Sequence, residues 1–433
     1  MVATNAFEYL RQITRTLLYS DGFVNAHRMR KTDFIRKRKL PFSELVAVIL
    51  KGAKRGLHTA VLEMLESDVI HTDSYSEAAL CKARKKINYT AFKELFREGG
   101  KAFYHAATKC KRFKKKYTVW AIDGSKINLP TNPDTLSEFG SEPFDQGERA
   151  QGLGSCLYDA LNGVTLDATL ERFDANEREL ASGHIEYLKD FCTETGRDPH
   201  FELVTLDRGY PSEALIRQIS NAGFKFVIRS NNKNFWKEVR DAIGPDSVVT
   251  RGDITLRVVR VPLAHSEMTV GGESVSTTTF LTNLSEKEAS PEDIAQLYHL
   301  RWNIETNYNF LKSRIELENF TGISSLCLRQ DFYAALYFAN MIACAQYDAA
   351  AKLQKHNKGK KLTYKVNYTE AYRRLQRRFF ALILLTPKKD FNRAYARLQN
   401  EIMDALIPIR PDRHPQRAKP HVGPRFHPNH KPS

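Results

Sequence analysis

The sequence contains few cysteines and no long apolar segment, and both absences exclude whole classes of protein. The six cysteines are scattered, without a C-x-x-C pair, which argues against a zinc site or a disulfide framework and fits a reducing compartment. No apolar run approaches the roughly 20 residues that a membrane span requires. The N-terminal segment MVATNAFEYLRQITRTLL lacks the basic start, apolar stretch and cleavage site of a signal peptide. We therefore expect a cytoplasmic protein that does not enter a membrane.

Positive charge exceeds negative charge, and the excess lies at the two ends of the chain. The net charge is +16, from 66 Lys and Arg against 50 Asp and Glu. Residues 1–118 carry a surplus of 14 positive charges and residues 408–433 a surplus of 5, so the central region sums to about −3. A basic N-terminal region predicts a polyanionic partner, most simply nucleic acid. A solvated basic surface with no specific partner is the alternative.

The chain divides into a helical start, a mixed centre and a helical end. Residues 1–112 carry apolar residues at intervals of three and four, which predicts an all-helical basic domain that docks on double-stranded DNA, or else a bundle kept soluble by its lysines. Residues 113–322 alternate strand and helix patterns, as an α/β fold does, with a β-rich stretch at 231–290. Residues 323–407 return to helical patterns, and residues 408–433, with seven prolines and four histidines, are expected to form a disordered basic tail.

Two aspartates follow apolar strands in this central region. A buried strand starting at Tyr117 is predicted to end at Asp123 and a glycine turn. The Asn162-Gly163 pair predicts a hairpin between the next two strands. After a helix, another apolar strand ends at Asp207. Adjacent strands of one sheet would bring the two aspartates together.

The segment YHLRWNIETNYNFLK places Tyr298, Arg301, Glu305 and Lys312 at spacings of three, four and seven. On one helix these side chains fall within a stripe of roughly 60°. A carboxylate between two cations suits a metal ion that meets a polyanion, because the carboxylate holds the metal while the cations bind phosphates. An ordinary solvated face with weak surface ion pairs is the alternative.

Together, Asp123, Asp207 and Glu305 provide three hard oxygen donors. Such donors suit Mg²⁺, or Mn²⁺ in its place, and two such ions can activate a water or a 3′-hydroxyl and stabilise the leaving oxygen at a phosphodiester. Each aspartate alone has a structural explanation, because Asp123-Gly124 can form a turn and Asp207 can cap the next helix. The combination predicts metal-assisted phosphodiester chemistry on nucleic acid.

The arrangement Y-x2-R-x3-E-x6-K, with aspartates in AIDGS and LDRGY contexts, resembles the DDE transposases of bacterial insertion sequences. Within them it resembles the subgroup defined by that four-residue signature. The likeness runs from about Tyr117 to Gly322. It implies an RNase H-like catalytic core with a β-rich insertion, preceded by a helical N-terminal domain.

The resemblance also implies residue roles and partners. It implies excision of the element through a hairpin intermediate, by a homodimer acting on paired DNA ends. Asp123, Asp207 and Glu305 would be the metal ligands. The residues implied to contact DNA phosphates are Tyr298, Arg301, Lys312 and Arg208.

Trp236, in the β-rich stretch, is interpreted either as an aromatic that stacks on a flipped base or as a core residue. Two other functions also remain open. One is an RNase H-fold nuclease that cuts without strand transfer, and the other is a non-catalytic DNA-binding derivative. Terminal inverted repeats flanking the gene would favour the transposase.

Overall fold

The structure, a computed structural model, describes most of the chain and consists of helices around one large sheet. The described residues are 5–35, 40–51, 57–66, 76–144, 147–230, 235–262, 269–270, 273–274, 277–384 and 387–410. The helices are α1 Ala6–Leu18, α2 Asp21–His27, α3 Phe42–Leu50, α4 Leu57–Leu65, α5 Glu77–Arg84, α6 Thr90–Ala106, α7 Pro133–Phe139, α8 Glu177–Thr195, α9 Glu213–Asn221, α10 Lys237–Asp241, α11 Pro291–Phe310, α12 Ser325–Asn357, α13 Tyr368–Leu384 and α14 Lys388–Asp404. The strands are β1 Thr118–Asn128, β2 Ser141–Phe144, β3 Gly147–Asp159, β4 Val164–Arg172, β5 Glu202–Leu206, β6 Lys225–Ser230, β7 Asp246–Arg251, β8 Ile254–Pro262, β9 Thr269–Val270, β10 Glu273–Ser274, β11 Thr277–Thr282, β12 Tyr364–Val366 and β13 Leu406–Pro408.

The large sheet has the order β2-β3-β1-β5-β6-β11-β8-β7, with β4 paired to β3. Strands β1, β5 and β6 run parallel to one another, and the remaining pairs are antiparallel. The mixed α/β fold is therefore confirmed. Because β1 and β5 are neighbours, the segments that carry the two aspartates lie side by side.

The predicted end of the first strand at Asp123 is wrong. Strand β1 continues to Asn128, because Gly124 to Asn128 pair with the long antiparallel strand β3. Asp123 thus lies in the middle of β1, opposite Cys156. The predicted hairpin is confirmed, and Gly163 takes the positive φ of 76° that its turn requires.

The β-rich stretch 231–290 extends the large sheet. Strand β11 pairs with β6 on one side and with β8 on the other, so β11, β8 and β7 continue it. The short pair β9–β10 stands apart, and residues 231–234 lie outside the described part of the chain. Strands β11, β8 and β7 of this stretch therefore belong to the same sheet as the aspartate strands.

Helices from the two ends of the chain share one hydrophobic core. Phe7 and Leu10 of α1 and Phe96 of α6 are fully buried in the same cluster as Tyr337 of α12. Burying each such side chain stabilises the fold by about 1.5–3 kcal/mol. Among the described helices, none combines the length and apolar character of a membrane span. Of the predicted tail, residues 411–433 lie outside the described residues, whereas Pro408 ends a short strand.

Glu288, in the turn before α11, ties that helix to the sheet. Its carboxylate accepts hydrogen bonds from Tyr117 Oη at 3.1 Å and from the Ser285 backbone N–H at 2.9 Å, and pairs with Lys225 Nζ at 2.9 Å. Burial alone would raise the pKa of Glu288. The hydrogen bonds from Ser285 and Lys225 outweigh burial and lower the pKa to about 2.

A carboxyl group whose pKa is lower in the folded chain than in the unfolded chain stabilises the fold at pH values above its unfolded pKa. This stabilisation is lost as the pH falls toward 2. We expect Glu288→Gln to lower the free energy of unfolding at pH 7 by on the order of 1–2 kcal/mol. The difference from the parent protein should shrink at pH 3. Urea unfolding at both pH values measures it, with the exposed neighbour Glu286→Gln as control. A loss of equal size at both pH values would contradict this role.

Candidate active site

The helix α11 lies across the aspartate strands and turns one face toward them. It begins with a capping box, in which Ser290 and Asp293 satisfy each other's backbone N–H groups, and Pro291 occupies its first turn. Its buried residues recur at three- and four-residue spacing and pack against β1, β5 and β6. They are Ile294, Leu297, Arg301, Ile304 and Tyr308.

Arg301 is therefore on the sheet side of α11, and its guanidinium joins the three carboxylates. Nη1 donates to Asp123 Oδ2 at 2.8 Å, and Nη2 donates to Glu305 Oε1 at 2.8 Å. Asp207 Oδ2 lies 4.0 Å from Nη2. With only 5% of Arg301 exposed, one desolvated cation is surrounded by three acidic groups from β1, from the end of β5 and from α11.

Two tyrosines of α11 hold the aspartates in place. Tyr298 Oη donates to Asp207 Oδ1 at 2.7 Å. Tyr308 Oη contacts two backbone carbonyl oxygens, that of Asp123 at 3.0 Å and that of Gly154 in β3 at 2.9 Å. The sequence analysis missed Tyr308, although it lies seven residues after Arg301 and therefore on the same face of the helix.

The two aspartates differ in acidity because their surroundings differ. Burial raises the pKa of Asp123 to about 6, and the positive charge of Arg301 offsets only part of this effect. Burial acts in the same direction on Asp207. There the hydrogen bonds from Tyr298 and from the backbone N–H of Arg208 outweigh it and lower the pKa. Asp207 is therefore ionised at neutral pH. Of the two aspartates, Asp123 is protonated first as the pH falls.

The donor set fits a hard divalent cation in its chemistry and in its position. Three carboxylates already surround one positive charge, the guanidinium of Arg301, which stands where an ion would share them. Within the described ranges no three acidic, histidine or cysteine side chains meet closely enough to coordinate a metal as they stand. Arg301 lies between them, so a metal requires that this side chain shift.

Lys312 lies just beyond the α-helical part of this stretch. The α-helix ends at Phe310, and Leu311–Ile315 forms a π-helical turn. Lys312 Nζ donates to the backbone carbonyl oxygen of Lys126 near the end of β1 and lies 3.6 Å from Glu318 Oε1. Burial lowers the pKa of Lys312. Its ammonium is therefore held along β1, three residues beyond Asp123.

The other two predicted DNA-contact residues differ in exposure. The Arg208 side chain is exposed beside Asp207. Trp236 is 7% exposed, stacks on Phe235 with ring centroids 5.0 Å apart, and belongs to a hydrophobic core with Val239. Trp236 is thus a core residue in this structure, the second of its two interpretations from the sequence. Stacking on a base would require its ring to leave that core.

A buried serine–histidine–aspartate chain lies behind the site. His184 Nδ1 lies 2.8 Å from Asp167 Oδ2, and His184 Nε2 lies 3.0 Å from Ser155 Oγ. The order resembles that of a hydrolase triad, but all three residues are at most 4% exposed, so no substrate reaches Ser155. Because Ser155 pairs with Gly124 in the sheet, the chain fixes β3 beside the Asp123 segment.

Comparison with known proteins identifies the family. The model of the transposase DDE domain matches residues 114–340, just over half of the chain. The chain belongs to this family. The matched region includes β1, β5 and α11, and with them all three carboxylates.

Two further similarities are more limited. Over 158 residues, which are 34% of this chain and 42% of the relative, the chain is 28% identical to the "Putative transposase y4zB" of Sinorhizobium fredii. The match thus spans less than half of that relative. The match to a solved piggyBac transposase synaptic complex with hairpin DNA covers 90% of this chain and 85% of the transposase chain. The two chains are 10% identical, with a TM-score of 0.45. A likeness at that level carries no argument about this chain.

Proposed function

We propose that this DDE-family protein is the transposase of an insertion sequence, which cleaves DNA strands at the ends of the element and transfers them to a target. The supporting observation is the convergence of Asp123, Asp207 and Glu305 on the single buried guanidinium of Arg301. The sheet that carries the aspartates would be the RNase H-like core. Mg²⁺ is the proposed ion, with Mn²⁺ able to replace it.

The roles of the side chains follow from their contacts. A divalent metal bound by the three carboxylates would activate the attacking hydroxyl and stabilise the leaving oxygen. Tyr298 keeps Asp207 oriented and ionised through its hydrogen bond. Arg301 offsets part of the negative charge of the three carboxylates in the free protein, and its fork of N–H donors also fits the phosphate oxygens of a DNA end.

The proposed DNA contacts are Tyr298, Arg301 and Lys312, which are the signature residues other than Glu305, and Arg208, the exposed arginine beside Asp207. Double-stranded DNA would be held by these residues and by the basic N-terminal helices. Two copies of the chain would act together on paired ends, and excision would pass through a hairpin intermediate. The reaction would take place on the nucleoid in the cytoplasm.

Arg208 offers the cleanest test of a phosphate contact. Its side chain is exposed, so its removal should leave the fold intact. We expect Arg208→Ala to weaken binding to all DNA sequences alike. The slope of the logarithm of the binding constant against the logarithm of the salt concentration should become shallower by about 1, as the loss of one phosphate contact predicts. The control is Arg217→Ala, because Glu213 and Asp253 already neutralise that exposed arginine. An unchanged salt dependence in Arg208→Ala would exclude the contact.

The function itself is tested with a plasmid that carries candidate element ends, incubated with purified protein and Mg²⁺. We expect cleavage at the ends, followed by joining of the freed ends to target DNA, and neither product in the presence of EDTA. Cleavage without joined products would favour the RNase H-fold nuclease. Binding without cleavage would favour the non-catalytic derivative.

A further inference from the structure

Four arginines lie on the outer face of α13, in the segment RRLQRR. The apolar residues of this helix pack into the core that the terminal helices share. The arginines occupy the positions between them, where Arg373 and Arg377 are exposed and Arg374 and Arg378 are partly exposed. Because the central region of the chain sums to about −3, these four charges are a local concentration and not part of the basic excess at the chain ends.

The arginines line a cleft between α13 and α14 with a volume of about 570 Å³. The residues that line it are all charged, and they are Glu370, Arg373, Arg374, Arg377, Arg378 and Glu401. Four positive side chains against two negative ones leave a surplus of two positive charges. Such a cleft suits an anionic ligand and not the mostly apolar ligands that enclosed pockets bind.

The inner pair of arginines, Arg374 and Arg378, has a structural role. Arg374 Nη1 donates to the backbone carbonyl oxygen of Glu401, in the last turn of α14, where carbonyl groups have no partner within the helix. Arg378 pairs with the carboxylate of the same glutamate. Both contacts fasten the end of α14 to α13, so stability alone explains these two residues.

The outer pair, Arg373 and Arg377, has no such role. Arg373 is 57% exposed at its side chain, and its partner Glu370 lies 2.9 Å away on the preceding turn of the same helix, a kind of pair that contributes little to stability. In the part of the chain that the structure describes, Arg377 forms no ion pair, although Glu401 is near enough to be affected by its charge. Because the two guanidinium groups lie four residues apart on one helix, they repel each other. An anion from outside the chain would remove this repulsion.

The cleft lies close to the active-site helix along the chain of contacts. Tyr368, the first residue of α13, packs against Phe310, the last residue of α11, with ring centroids 5.6 Å apart. The path from Glu305 through these two rings to Arg377 is at most roughly 30 Å, the length of about nine base pairs. A duplex held at the three carboxylates is therefore long enough to reach the cleft within about one helical turn.

We propose that Arg373 and Arg377 bind the sugar–phosphate backbone of the element-end duplex, about one helical turn inward from the cleaved end. This inference rests on the proposed function, because it adds a contact to the DNA that the active site would hold. The element side is the occupant, since it is the DNA that stays bound between cleavage and transfer. Each guanidinium presents a planar fork of donors to phosphate oxygens, and such contacts position the duplex without reading its sequence.

The test is the binding of a labelled duplex that extends about 40 base pairs inward from the element end, measured in Ca²⁺ over a range of salt concentrations. In the double variant Arg373→Gln, Arg377→Gln we expect binding to weaken about 10- to 100-fold at about 0.1 M salt. The slope of the logarithm of the binding constant against the logarithm of the salt concentration should become shallower by about 2. The melting temperature should not change, because both side chains are exposed.

The matched control is Arg393→Gln, which removes an exposed arginine of α14 that does not line the cleft and should keep the affinity and slope of the parent. A parent-like slope in the double variant would overturn the inference, and cleavage of the same DNA by the parent in Mg²⁺ would leave the proposed function standing. Equal losses in Arg393→Gln would overturn it as well, because they would indicate a diffuse basic surface. If the double variant binds the element end normally but no longer joins it to target DNA, the cleft holds the target and the inference is wrong. If the parent binds no DNA, the inference and the proposed function both fail.

Discussion

Replacing Glu305 by Gln should reduce strand cleavage by about 10³-fold or more, because an ion that lowers the barrier by several kcal/mol is lost. DNA binding and stability should remain near those of the parent. Glu305 is 38% exposed at its side chain, and its contact with the site is the 2.8 Å bond from Arg301. A glutamine oxygen accepts that bond equally well but carries no charge for the metal.

The matched control is Glu292→Gln, an exposed glutamate on the first turn of the same helix. It should cleave at the parent rate. Cleavage is measured on labelled DNA ends in Mg²⁺, and binding on the same DNA in Ca²⁺. If Glu305→Gln cleaves as fast as the parent, Glu305 is not a metal ligand and the site is misassigned.

The largest stability effect is expected at Arg84, whose buried guanidinium joins α5 to the chain that follows the active-site helix. It donates to Gln330 Oε1 and Thr321 Oγ1, both at 2.7 Å, and to the Cys327 backbone carbonyl oxygen at 2.9 Å. It also pairs with Asp331 at 2.7 Å. Burial would lower the pKa of Arg84, but the carboxylate of Asp331 raises it overall.

Removing one partner of a buried ion pair leaves the other charge unpaired. We expect Arg84→Met to lower the free energy of unfolding by about 3–5 kcal/mol, as measured by urea unfolding. The exposed Lys82→Met on the same helix should change it by less than about 0.5 kcal/mol. Adding Asp331→Asn to Arg84→Met should restore part of the loss. A loss below about 1 kcal/mol in Arg84→Met would show that the buried Arg84–Asp331 pair does not stabilise the fold.

The elements near the site were predictable where one strand or helix carries the signal. The apolar run before Asp207 and the Asn162-Gly163 turn are local patterns, and both predictions are confirmed. The end of β1 was not predictable, because the apolar pattern stops at Asp123 whereas the strand continues by pairing with β3, which comes later in the chain. The same reason applies to the continuation of the sheet through β11.

Helical spacing predicts that Arg301 and Glu305 lie on one face of α11. It does not predict which part of the protein that face contacts. The apolar neighbours Leu297 and Ile304 share the spacing of Arg301, and they turn it toward the sheet. As a result Arg301 contacts carboxylates in the free protein. The π-helical turn Leu311–Ile315, which contains Lys312, has no clear sequence pattern.

Asp123, Asp207 and Glu305 are proposed to hold one divalent metal together, and cleavage of the chain beside that ion tests this directly. Fe²⁺ in place of Mg²⁺, with ascorbate and peroxide, generates radicals that cleave the polypeptide next to the bound ion. Fragments should end near residues 123, 207 and 305 in the parent protein, disappear with excess Mg²⁺, and be absent in Glu305→Gln. Cleavage at unrelated positions, or an unchanged pattern in Glu305→Gln, would show that these three carboxylates do not share an ion.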